Sequence, residues 1–154
     1  MRIDPDWLEP AAEALPLPAQ AHELDFWIGE WEVTWEGGSA RNTIRPILGH
    51  RAILETFDGA RDAGLRGTSV SAFDAAHGRW AQLWADNQGS VFDLRGGRRG
   101  EEFELRTDPD REGGLRRMRF SQITPDGLLW EWSRGAAGSQ RFEVLWSLRY
   151  RRLV

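Results

Sequence analysis

Glu55 lies two residues from both Ile53 and Phe57, an acid in phase with bulky apolar side chains. If that face of a strand turns inward, burial disfavours the charged carboxylate and raises its pKa. Glu55 is then a candidate general acid or base. If Leu54 and Thr56 face inward instead, Glu55 is solvated. The bulk of Ile53 and Phe57 together favours the inward reading. Trp80, Gln82, Trp84 and Asp86 fall on one face of a second strand, with Arg79, Ala81, Leu83 and Ala85 on the other. Two indoles, an amide and a carboxylate suit a cavity wall that needs apolar area and a few orienting groups. Asp86 is the second candidate catalytic carboxylate, although Asp86-Asn87 also reads as the turn before Gly89. Gln82 and Trp84 are candidate ligand contacts with no turn role. His50, after Gly49 at a strand junction, is a further one that would point to the mouth.

Other chemistry is excluded or unsupported. There is no cysteine and no lysine, which removes disulfides, thiolate metal sites and Schiff-base catalysis. His22, His50 and His77 show no i, i+4 pair or compact cluster, so no metal site is expected. No Gly-x-Ser-x-Gly elbow occurs. Gly96-Gly97-Arg98-Arg99-Gly100 joins two strands rather than opening a helix, so it reads as a hairpin turn and not a phosphate loop. A net charge of −4 argues against a nucleic-acid partner. The arginine runs at Arg98-Arg99, Arg116-Arg117 and Arg149 to Arg152 lie beside acids and read as solvated faces. No apolar stretch approaches the ~20 residues of a membrane span. The start of the chain lacks a secretory pattern, and with the missing cysteines this fits a cytoplasmic protein.

The elements that must position these residues are strands. Residues 1–20, with Pro5, Pro10, Pro16 and Pro18, read as a Pro/Ala-rich arm holding a short helical stretch near Pro10 to Leu15. Residues 21–154 read as a single domain. Ala21 to Ile28 predict a short helix stopped by Gly29. From Glu30 the period becomes two: Trp31, Val33 and Trp35 alternate with Glu32, Thr34 and Glu36. Further strands are predicted at about 41–48, 51–57, 65–73, 79–86, 90–96, 101–107, 115–124, 128–134 and 140–150, each spacing set by Gly, Asp, Asn or Pro turn signals. Phe142, Val144, Trp146, Leu148 and Tyr150 alternate over the last one. Ten strands in meander order predict an all-β, antiparallel up-and-down barrel, which leaves no exposed edge. Nine tryptophans exceed what a core of this size needs and suit a lined cavity.

The run Leu24-Asp25-Phe26-Trp27-Ile28-Gly29-Glu30-Trp31-Glu32-Val33 resembles the opening of an uncharacterised bacterial family of lipocalin-like proteins, with a Phe-Asp-Phe-Trp-x-Gly-Glu-Trp pattern. Gly29-x-Trp31 is similar to the signature of the wider calycin group. Gly49-His50 with Glu55, Gly67-Thr68-Ser69, Asp74 to Trp80 and Trp84-x-Asp86-Asn87-x-Gly89 continue the likeness to about residue 90. Arg134 to Gly138 depart from it. The resemblance implies a calycin-like barrel that binds something, without supplying a reaction. By that analogy Trp31 is a plug closing one end, stacked by an arginine of the last strand such as Arg149 or Arg151. A haem site of the nitrobindin kind would need a histidine late in the chain, and none follows His77.

The leading expectation is binding of a small hydrophobic or amphipathic molecule, oriented by Glu55, Gln82, Trp84 and His50, with no cofactor or metal. One alternative is an isomerase, cyclase or dehydratase using Glu55 or Asp86. Another is a structural or interaction protein with a filled barrel.

Overall fold

The computed structural model describes residues 16–154; the helical stretch expected near Pro10 to Leu15 lies outside them. Ten antiparallel strands follow in meander order and close on themselves. They are β1 (Gly29–Trp35), β2 (Gly38–Ile47), β3 (Ala52–Gly59), β4 (Leu65–Asp74), β5 (Arg79–Asp86), β6 (Val91–Arg99), β7 (Glu102–Thr107), β8 (Gly114–Ser121), β9 (Gly127–Ala136) and β10 (Phe142–Arg152). β1 is the seam, paired with β2 on one side and β10 on the other. One α-helical turn, α1 (Ala60–Ala63), links β3 to β4 and ends on Gly64 in the left-handed conformation, where the sequence suggests a plain turn. No helix among the described residues is long and apolar enough to cross a membrane.

The helix expected over Ala21 to Ile28 is instead two 3-10 turns, Ala19–His22 and Asp25–Trp27. The buried residues explain the choice. Ala21, Leu24 and Trp27 are all buried, and side chains spaced by three eclipse one another on one face at 3-10 geometry, whereas at 3.6 residues per turn they drift around the axis. That face covers one end of the barrel.

Trp31 completes the closure from within. It is fully buried, and its Nε1 donates to the Trp27 carbonyl at 2.7 Å. The stacking arginine is Arg152, not Arg149 or Arg151, with its guanidinium 4.2 Å from the Trp31 ring. The register decides this: Arg152 stands opposite Trp31 on the inner face. Arg149 is turned toward Gln122, and Arg151 pairs with Glu32. Arg152 also donates to the carbonyls of Ile28 at 2.6 Å, Phe26 at 3.1 Å and Pro125 at 2.7 Å. One side chain thus ties the 3-10 turns, the β8–β9 loop and the plug together.

Three local expectations are corrected. β6 runs straight through Gly96-Gly97, and its hairpin turns at Gly100-Glu101. Gly96 serves close approach rather than a turn, since a Cβ there would lie 2.1 Å from the Glu104 carbonyl oxygen. β10 carries a bulge between Val144 and Trp146, which moves one residue out of register. Val144 is therefore exposed although its place in the alternation puts it inside. Finally, Arg117 is not a solvated arginine: its side chain is 14% exposed and lies 3.9 Å over the Phe142 ring. It helps Arg99 and Arg106 cover the outward carboxylate of Glu104.

Candidate functional site

Beyond the plug, the barrel interior holds a cavity of about 150 Å³. Seven aromatic rings line it: Phe57 from β3, Trp84 from β5, Phe92 from β6, Trp130 and Trp132 from β9, and Trp146 and Tyr150 from β10. Trp130 and Trp132 stack parallel with centroids 6.3 Å apart. Trp146 meets Trp130 edge-on, and Phe92 meets Trp132 edge-on at 4.8 Å. Trp84 fits because its cross-strand neighbourhood contains Gly67, where a Cβ would come 2.1 Å from the indole.

The polar lining is small. Ile53, Glu55 and Phe57 are all buried, so this face of β3 points inward. Register then assembles a cluster around the acid. Asn42 from β2 donates through Nδ2 to Glu55 Oε2 at 2.8 Å and to the Tyr150 hydroxyl at 2.8 Å. Ser69 from β4 donates to Glu55 Oε1 at 2.7 Å. Burial pushes the Glu55 carboxyl up from 4.5 to about 7, with the Asn42 and Ser69 hydrogen bonds opposing it. Burial, then the nearby Glu55 charge, holds the Tyr150 phenol above its usual range, so it stays neutral. Gln82 lies on the same lining, and its Nε2 donates to Ser71 at 2.8 Å, which leaves its carbonyl oxygen as an acceptor.

Asp86 performs both roles that its sequence context suggests. It lines the cavity, and its Oδ2 accepts from Trp84 Nε1 at 2.9 Å. Its Oδ1 accepts from the backbone N–H groups of Gln88 and Ser90, which builds the turn. Burial works to raise its pKa, but the bonds from Trp84, Ser90 and Gln88 outweigh it and hold the pKa below the usual value. An acid committed in this way fixes the Trp84 ring and is poorly placed to exchange protons. Glu55 is the group that can hold or release one near neutrality.

His50 is not part of this lining. It sits at the plugged end in a turn with left-handed backbone, its Nε2 2.7 Å from Asp25 Oδ1. His22 Nδ1 lies 2.8 Å from the other oxygen of Asp25. Two histidines that look unrelated in sequence therefore converge on one carboxylate, against the expectation of no compact cluster, while His77 bonds to Asp74 elsewhere. His22 Nδ1 and His50 Nε2 are each engaged in a hydrogen bond with one oxygen of Asp25.

Sequence reasoning missed Asn42 and Ser69 as partners of Glu55, Tyr150 as the second partner of Asn42, and the three β9 and β10 indoles as the cavity wall. The even spacing of Trp130 and Trp132 carried a signal for the wall. Asn42 and Tyr150 stand 108 residues apart, and nothing local couples them. Together the fold and site define a closed ten-stranded barrel with an aromatic interior cavity and a buried acid, Glu55, in its wall. Comparison with protein-family models finds no match, and comparison with curated proteins finds none either.

Proposed function

We propose that the barrel is a binding module for a small, largely apolar or amphipathic molecule seated in the aromatic cavity. The observation that carries this is the lining itself: seven aromatic rings surround the space, and the polar groups are few. That is the pattern of a site where apolar area supplies affinity and isolated polar groups set orientation. A cavity of about 150 Å³ suits a guest of about one ring, the size of an apolar cavity that takes up benzene. The resemblance of Leu24 to Val33 to a lipocalin-like opening supports the same reading.

Titration with cyclohexanol, followed by tryptophan emission, tests it. Binding should shift the emission as water leaves the indoles, and Trp84→Ala should weaken it about tenfold, equivalent to about 1.4 kcal/mol. Unchanged emission up to the solubility of the probe would sink the proposal. Native mass spectrometry of protein from its own host should show a retained small molecule.

The catalytic reading has one observation of its own, a cavity carboxyl raised to about 7, suited to general acid–base work. Under it, Glu55→Gln abolishes turnover while cyclohexanol still binds.

A further inference from the structure

Among the described residues, no cation answers the acid in the cavity. Glu55 is 5% exposed, and its hydrogen-bond partners, Asn42 and Ser69, are both neutral. Among the described residues, the cavity lining contains a second carboxylate, Asp86, and no arginine or histidine. Arg152, which faces inward, is consumed at the plugged end by the Trp31 ring and three carbonyls.

From this geometry we infer that the occupant is a small organic cation, an alkylammonium or arylammonium held between Glu55 and the indole wall. The inference rests on the binding reading and names its ligand class. Indole faces carry negative potential that attracts a cation, most strongly where water is excluded, and four of the lining residues are tryptophans. Two carboxylates repel an anionic guest. A neutral apolar guest needs no buried acid, which costs stability unless something compensates its charge. A cavity of about 150 Å³ is too small for a fatty acid or a porphyrin and adequate for a tetraalkylammonium or a one-ring amine.

Few groups around Glu55 can titrate. Asn42 from β2, Ser69 from β4 and Gln82 from β5 do not ionise, Tyr150 from β10 stays a neutral phenol, and Asp86 from β5 stays ionised. Cation affinity should therefore follow the ionisation of Glu55 alone.

The test compares three probes of similar shape on the full chain: tetramethylammonium, tert-butanol and pivalate. Binding is read by calorimetry and tryptophan emission. Tetramethylammonium, whose charge does not titrate, should bind more tightly than the other two. Its affinity should rise about thirtyfold between about pH 5.5 and 8.5, as the ionised fraction of Glu55 grows. Glu55→Gln should flatten that profile and leave tert-butanol unaffected. If that variant does not fold, the wild-type profile still decides. Should tert-butanol bind as well as tetramethylammonium, or the cation profile be flat, the inference falls and the binding reading stands. If none of the three probes binds, both fall.

Discussion

Glu55→Gln should make the protein more stable, and only above a definite pH. The carboxyl ionises near 4.5 in the unfolded chain and near 7 in the barrel. Between those values the folded protein holds a proton that the unfolded chain has lost. Stability from this group is therefore intact below about 4.5, declines as pH rises through the window, and is fully lost above about 7. At about 1.4 kcal/mol per pH unit, the loss comes to about 3 kcal/mol. Glutamine removes the titration and keeps the shape. Its carbonyl can accept from Asn42, and its NH2 can face Ser69, whose hydroxyl rotates to accept. Melting of wild type and variant should coincide near about pH 4.5 and diverge by roughly 6–12 °C above about pH 7.5. Asp58, Asp62, Asp74 and Asp86, all held below their usual pKa, lose stability in acid in both proteins alike and cancel in the difference. A difference that stays constant with pH would refute the reasoning.

Trp31→Ala should cost about 3–5 kcal/mol, as for other fully buried aromatics, read from the midpoint of urea unfolding; a shift below about 1 kcal/mol would remove Trp31 as the plug. Gly67→Ala places a methyl 2.1 Å from the Trp84 indole and should displace the ring. Its signature is altered tryptophan emission and weaker cyclohexanol binding with the barrel still folded. Emission and affinity matching wild type would show that the ring does not depend on that close approach.

The architecture was legible because its signals are local. Alternation from Trp31 to Trp35 and turn residues every few positions mark strands and hairpins without reference to distant parts of the chain. The same locality misled at Gly96-Gly97, where the glycines answer the backbone of β7 rather than a turn, and at Val144, where a bulge breaks an apparently clean alternation. Glu55 could be read as inward from Ile53 and Phe57. Its partners could not, because Asn42 and Ser69 reach it, and Tyr150 reaches Asn42, only through the registers of three other strands. Arg152 shows the limit sharply: the choice among Arg149, Arg151 and Arg152 depends on a pairing between the first strand and the last.

That pairing also sets the order in which the protein can be made. The Arg152 guanidinium reaches a carbonyl 124 residues earlier in the chain, so the barrel cannot seal during synthesis until nearly all of β10 has left the ribosome. Hairpins can form as they emerge, but β1 then waits with one unpaired edge, and so does the newest strand. Contacts of such long sequence separation form slowly, and open edges in the meantime invite pairing between neighbouring chains. Nascent chains stalled within β10 should consequently be the most aggregation-prone species this sequence produces.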